Sequence, residues 1–360
     1  LLRLHIDGAP VDFAACVPLE NRVELDLQSG QLLRRSRWQL ADGRLLDIRS
    51  LRIVPLDGGA CVASRISIVP VDFAAGIEAW LTYGAEAAAG AGEVDDPRIS
   101  GRLQSDWTVL PAQPGDTPDV TRFGQDVVEL AYRQHVVSPD AEVSVVQAGH
   151  SVRRHLTAGD ALAIDGVVAL ACGRGEPAVA DEPMQSFDAV AEAQRAAMTR
   201  LWDRAAFALD GDDALTQAPR FNLFQLHQSA SRTPSHSIAA KGLSGEGYEG
   251  HYFWDAEAFM LPVLALQAPD KARNLLAYRI AKLDRARAHA AALGHRRGAL
   301  YPWRTIAGAE CSSHYPTGSA QYHINGDIAH GVQLYVAATG DNAFRGGAAE
   351  MLFETARMWM

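Results

Sequence analysis

Residues 241–255 read Lys241-Gly242-Leu243-Ser244-Gly245-Glu246-Gly247-Tyr248-Glu249-Gly250-His251-Tyr252-Phe253-Trp254-Asp255. Four glycines within nine positions let the backbone take positive φ or approach another group closely. A tryptophan beside a carboxylate suits a pyranose ring: the indole covers the apolar C–H face, and the carboxylate accepts bonds from vicinal hydroxyls. The same spacing equally fits a core Trp254 followed by an Asp255 that merely caps a helix starting at Ala256. The glycines do not make a phosphate loop, because neither GxGxxG nor GxxxxGK[ST] is present.

A second dense stretch is Tyr301-Pro302-Trp303-Arg304-Thr305, then Gly308-Ala309-Glu310-Cys311-Ser312-Ser313-His314-Tyr315-Pro316, then Gln321-Tyr322-His323-Ile324-Asn325. It reads as a long loop between two helices, and long loops of this kind usually carry function. Cys311 near Ser312 and His314 suggests a nucleophile and a base, but the spacing supplies no third orienting group. His323, Asp327 and His330 could place ligands on one helix face, yet HExxH is absent and a structural histidine is the simpler reading. No metal is expected.

The elements that must carry these loops change type along the chain. Up to about residue 180 the pattern is β. Trp38–Leu40, Arg44–Val54 and Cys61–Val69 are separated by Asp42-Gly43 and Asp57-Gly58-Gly59, and further strand-like runs fall at Gln125–Val137, Glu142–Val146 and Ala161–Ala171. Closely spaced strands with turn signals predict an antiparallel β-sandwich over residues 1–180. Gly84–Pro97, rich in Ala, Gly and Glu, is expected to be a surface loop. Residues 181–213 read as a helical linker, with helical spacing from Phe187 to Leu209. Residues 214–360 read as helix and loop. Helices are expected from Pro269 to the Gly294 stop, over Gln321–Ala338 and over Ala348–Met360. Helices joined by long loops suit part of an α/α barrel better than a four-helix bundle.

Composition narrows the function classes. The 360 residues hold 43 acidic and 33 basic side chains, a net charge of −10, which argues against a nucleic-acid partner. Hydrophobic residues at 48% and charged residues at 21% are ordinary for a globular chain. No apolar run approaches the roughly 18 residues of a membrane helix. The four cysteines lie far apart without CxxC, so the default expectation is a reducing cytoplasm. The chain begins Leu1-Leu2 and ends Met358-Trp359-Met360 in an apolar helical pattern, and reads as an internal piece of a longer protein.

The dense segments resemble glycoside hydrolase family 65. The resemblance rests on Gly245-Glu246-Gly247-Tyr248-x-Gly250-His251-x-Phe253-Trp254-Asp255-x-Glu257, on Tyr301–Thr305, and on Gln321-Tyr322-His323-Ile324-Asn325-Gly326-Asp327-Ile328. Leu25-Asp26-Leu27 to Arg34, Arg220–Leu226 and Glu350–Arg357 match more loosely, so the likeness spans nearly the whole chain. The family implies an N-terminal β-sandwich, a helical linker and an (α/α)6 barrel, of which this chain would hold the first part. It implies inverting phosphorolysis of an α-glucobiose, trehalose or kojibiose foremost, to β-glucose 1-phosphate. The co-substrate is inorganic phosphate and no other cofactor is implied.

A trehalase-like hydrolase of the same family is the alternative, and a non-catalytic carbohydrate-binding fragment is a second. Carried over by position, Trp254 and Asp255 correspond to residues that hold the non-reducing glucose. Ser312, Ser313 and His314 fall in the acceptor loop that varies with specificity. The family's general acid is a Glu in a Gly-Pro-Asp-Glu-Tyr motif that would lie beyond Met360, so no catalytic residue is assigned here. This piece alone is expected to be inactive. The disaccharide and phosphate are the implied partners, with no membrane and no nucleic acid; a homodimer stays open.

Overall fold

The computed structural model describes residues 2–82, 108–110, 120–125, 128–146, 149–174, 184–205, 209–243, 247–312 and 316–360. They divide into a β-rich unit up to Arg200 and a helical unit from Leu201 onward. The expected Gly84–Pro97 loop lies outside the described residues.

The β-rich unit has strands β1 (Leu2–Ile6), β2 (Ala9–Pro10), β3 (Val17–Asp26), β4 (Gln31–Gln39), β5 (Leu45–Ile53), β6 (Cys61–Pro70) and β7 (Ala75–Thr82). They are followed by β8 (Thr108–Leu110), β9 (Val120–Gln125), β10 (Val128–Val137), β11 (Glu142–Val146), β12 (Gly149–Leu156) and β13 (Leu162–Arg174). One sheet has the order β11-β12-β7-β1-β2 and the other β3-β4-β5-β6-β13-β10-β9-β8, every pairing antiparallel. The turns fall where the sequence puts them: Gly43 and Gly58 both take positive φ in the β4–β5 and β5–β6 connections. β7 alternates buried and half-buried residues along its length, the period a one-face core demands. Leu4, Ile6, Ile77, Ala79 and Val152 of the first sheet pack with Leu46, Ile66, Ile68, Leu162 and Ile164 of the second. An antiparallel sandwich followed by helices is the fold class read from the sequence.

Helix α1 (Phe187–Ala205) lays Phe187, Val190 and Ala191 on Ile53, Ala63 and Val167 of the eight-stranded sheet. Arg65 stands over the Phe187 ring at 4.2 Å and bonds Asp165 and Asp188, while Gln194 accepts the Leu56 N–H at 2.7 Å.

The helical unit continues with α2 (Asp213–Ser229), α3 (Leu261–Gln267), α4 (Pro269–Ala281), α5 (Leu283–Ala292), α6 (His323–Thr339), α7 (Asn342–Gly347) and α8 (Ala349–Arg357). α2 starts on the Asp212 carboxylate, which accepts the Leu215 N–H; Pro219 inside it hides the helix from a pattern search. The single helix expected from Pro269 to Gly294 is broken at Lys282, whose φ of −106° and ψ of 12° leave helical geometry. α6 ends, as expected, on Gly340 in the left-handed region, and α8 is shorter than its apolar pattern. Leu261, Leu264, Leu275, Leu276, Ile324, Ile328, Val332 and Met351 form the core among these helices.

Electrostatics ties the sandwich to pH at one cross-strand pair. Arg37 donates from Nε and Nη2 to both Asp47 oxygens at 2.7 and 2.8 Å, and this holds the Asp47 carboxyl below its usual range. A carboxyl lowered in the folded state stabilises it above the unfolded-state value, and that contribution is lost as pH falls through the folded value. Asp47→Asn should therefore lower the melting temperature at pH 7 and flatten its decline between pH 5 and pH 3. Parallel melts of both proteins across that window check it.

Candidate functional site

The site is built from two loops that pair with each other. Tyr252 N–H donates to the Thr305 carbonyl at 2.7 Å and Thr305 N–H returns to Tyr252 at 3.1 Å, an isolated antiparallel bridge. Phe253 meets Trp303 edge-on at 5.1 Å and Tyr248 at 5.2 Å. Arg304, nearly buried, donates to Glu249 at 2.9 Å. The two sequence segments singled out for chemistry therefore share one layer. Their meeting is a tertiary fact.

The glycines explain only part of the first loop. Gly242 and Gly250 take positive φ, but so do Tyr248 (63°) and Glu249 (50°). Left-handed backbone costs a side-chain-bearing residue roughly 1–2 kcal/mol. The strain is held by tertiary contacts: Tyr248 by Phe253, its carbonyl by the His251 N–H and Nδ1 at 2.9 and 2.8 Å, and Glu249 by Arg304. Ser244–Glu246 lie outside the described residues.

Asp255 opens a π-helical turn, Ala256–Met260, that runs into α3. Its backbone is already helical (φ −52°, ψ −33°), and its exposed carboxylate makes no capping bond. The capping role allowed by the sequence is not realised. Trp254 is half-buried against the helical core, with Phe259 at 5.5 Å and His323 edge-on at 4.8 Å. His323 in turn bonds Asp327 at 2.7 Å and Gln321 at 3.0 Å through its two ring nitrogens. His323 is thus engaged as a packing and hydrogen-bonding residue, and among the described residues no group of three His, Cys, Asp or Glu converges on a metal position.

Beneath the turn lies an ion pair that the sequence reading passed over. Glu257 and Arg279 are 1% exposed each and bonded in a two-pronged fork at 2.8 Å on both arms. Arg279 Nη2 also donates to the Phe253 carbonyl at 3.2 Å, one residue before Trp254. Burial disfavours the Arg279 charge, but Glu257 outweighs it and holds the guanidinium above its ordinary value. Tyr301 completes the support by donating its hydroxyl to the Arg279 carbonyl at 2.8 Å. One signal was legible: Arg279 continues the buried face of α4 after Ala272, Leu275 and Leu276, where a cation demands a partner.

In the second loop Glu310 accepts the Trp303 and Ser312 N–H groups, both at 2.6 Å, and so closes the segment on itself. Cys311 directs its Sγ to the Arg304 carbonyl at 3.2 Å, and burial, reinforced by Glu310, pushes its thiol up. A thiol held protonated is a poor nucleophile. Ser312 is half-buried at the end of this loop; Ser313 and His314 lie outside the described residues.

Comparison with known proteins covers nearly the whole chain. Residues 1–210 match the model of the glycosyl hydrolase family 65 N-terminal domain, and 220–360 match that of the family's central catalytic domain. The alpha,alpha-trehalose phosphorylase of Thermoanaerobacter brockii is 33% identical over all of this chain and 49% of its own length. That of Geobacillus stearothermophilus is 52% identical over 49% of this chain and 23% of its own length. The kojibiose phosphorylase of Caldanaerobacter subterraneus subsp. tengcongensis is 41% identical over 49% of this chain and 24% of its own length. A solved structure from the human microbiome, provisionally assigned as a kojibiose phosphorylase, covers 99% of this chain and 48% of its own, with a TM-score of 0.81 and 21% identity. At that identity the likeness speaks to the fold alone. The chain spans about half the length of the relatives that it matches along its whole length.

The buried pair yields a stability test. Arg279→Met leaves Glu257 without its counter-charge in the core and should cost about 3–5 kcal/mol. Glu257→Leu combined with Arg279→Met removes both charges and should recover most of that loss. Denaturant unfolding of the two variants beside the parent measures both steps; equal destabilisation by the single and the double would contradict the assignment.

Proposed function

The chain belongs to glycosyl hydrolase family 65, and from that premise we propose that the whole protein is an inverting disaccharide phosphorylase acting on trehalose or kojibiose. The observation that carries the site is the uncapped, exposed Asp255 carboxylate beside the half-buried Trp254 indole. In this reading Trp254 covers the C–H face of the non-reducing glucose and Asp255 accepts bonds from two of its hydroxyls. Charge-assisted bonds of that kind are worth roughly 1.5–3 kcal/mol each.

An inverting glycosidase uses one carboxylic acid to protonate the leaving oxygen and a second carboxylate to activate water on the opposite face. Inorganic phosphate is already anionic, so a phosphorylase must position it with cations and N–H donors and needs no base for it. The products are β-glucose 1-phosphate and the released glucose. No other cofactor is needed. Glu257 is unsuited to be the acid because both its oxygens are spent on Arg279. The acid is expected outside residues 1–360. A cytoplasmic setting, rich in phosphate, suits phosphorolysis.

Three experiments test this reading in the whole protein. Trehalose and kojibiose should be cleaved only when phosphate is supplied, with β-glucose 1-phosphate formed; cleavage without phosphate would make the protein a hydrolase. Asp255→Asn should melt near the parent temperature yet lose at least about a hundredfold in kcat/KM. A variant that melts early but turns over normally would return Asp255 to a structural role. Exchanging Ser312, Ser313 and His314 as a block should change which disaccharide is cleaved and leave the sugar phosphate product the same. Equal loss on every disaccharide would remove this loop from acceptor recognition.

A further inference from the structure

The fork between Glu257 and Arg279 is a poor device for stability alone. Both side chains are buried, and α6 covers Glu257 with Gly331, where an added Cβ would stand 3.6 Å from the Glu257 Cβ. Apolar side chains of similar volume in such a place are often neutral or stabilising relative to an ion pair. What they cannot do is hold a backbone carbonyl. The Trp254 carbonyl takes the Glu257 and Ala258 N–H groups at 3.1 and 3.0 Å, so the turn itself satisfies it. The Phe253 carbonyl takes the Ala256 N–H at a longer 3.4 Å, and Arg279 Nη2 brings a nearer donor at 3.2 Å.

We propose that Arg279, oriented by Glu257, is a positioning residue for the glucose end of the site, kept for geometry rather than for stability. The proposal rests on the reading of Trp254 and Asp255 as the pair that grips the sugar. The guanidinium spends Nε and Nη2 on the two Glu257 oxygens, which fixes its plane and aims Nη2 at the Phe253 carbonyl. Residues 253 and 257 are thereby tied to one side chain of α4, and Trp254 and Asp255 lie on the arc between them. The Asp255 carboxylate makes no capping bond, so the arc sets where it stands. A misplacement of about 1 Å at such a group costs roughly a hundredfold in rate. The main-chain carbonyl of Arg279 accepts the Tyr301 hydroxyl at 2.8 Å, a bond that does not need the guanidinium. Replacing the Arg279 side chain therefore acts on the first loop.

The test uses the whole protein and sets turnover against stability. Glu257→Leu with Arg279→Met keeps the core filled and should melt near the parent, yet its kcat/KM for the disaccharide should fall at least about tenfold. Amide exchange should quicken over residues 253–258 and stay slow in α4 and α6, a pattern that general loosening of the core does not produce. Adding Asp255→Asn to this variant should cost less than the product of the separate losses, because both act through one carboxylate. Should the double variant fold poorly, Arg279→Lys decides. A lysine keeps the charge beside Glu257 but cannot fork onto both oxygens and still reach the Phe253 carbonyl, so the same loss is expected. Parent-like turnover in either folded variant, or fully multiplicative losses, would overturn the positioning role and leave the sugar site standing. If Asp255→Asn itself turns over like the parent, the sugar site falls instead. Unchanged exchange over residues 253–258 would then overturn the hold of Arg279 on that segment as well.

Discussion

The helical unit depends on one buried contact, the fork between Arg279 and Glu257. Taking two ions out of water costs several kcal/mol each, roughly, and their attraction offsets this only when geometry is good and the remaining donors are used. The fork meets the first condition, and one donor makes a further bond. Each carboxylate oxygen accepts one guanidinium nitrogen, and the same Nη2 that reaches Glu257 also reaches the Phe253 carbonyl. The pair therefore fixes two points of one short segment, residue 253 and residue 257, to α4. Trp254 and Asp255 lie between those points. Their orientation follows from a contact that neither of them makes.

The π-helical turn fits the same constraint. An ordinary α-turn repeats its contacts three and four residues on, and the wider turn at Ala256–Met260 shifts that phase locally. Glu257 is left facing α4 from within it, while Phe259 stays exposed beside Trp254. Upstream, the left-handed backbone at Tyr248 and Glu249 stores strain that the Phe253 ring and the Arg304 cation must hold. Both departures from regular geometry flank the segment carrying Asp255. Backbone irregularity of this kind persists only where surrounding contacts over-determine it.

The fold was legible because its signals are local. Turn glycines at 43 and 58, alternation along β7 and the Gly340 stop each act within a few residues, and β11 appears over the very span its pattern marks. Lys282 was not legible, since the apolar stripe continues across it and only the backbone turns. Of the candidate site, the residue types were legible and the joins between its loops were not. Trp254 and Asp255 stand out by type, but nothing in the order of residues says that Tyr252 bridges Thr305 or that Trp254 meets His323. Those joins span tens of residues and depend on packing. The positive φ at Tyr248 and Glu249 runs against expectation, because four nearby glycines are the residues that would adopt it without cost.

The bridge between the loops also constrains how a sugar site here can vary. Trp303 packs on Phe253, and its N–H is held by Glu310, which holds Ser312 with its other oxygen. A change at Ser312 that leaves Glu310 in place can alter the loop's tip without moving Phe253, and so without moving Trp254 or Asp255. A change at Glu310 frees two backbone N–H groups and loosens the platform beneath Phe253. In the proposed site, the glucose-binding pair is therefore insulated from the tip of the acceptor loop by a single carboxylate. Such a layout lets one end of the proposed site change while the other end stays fixed.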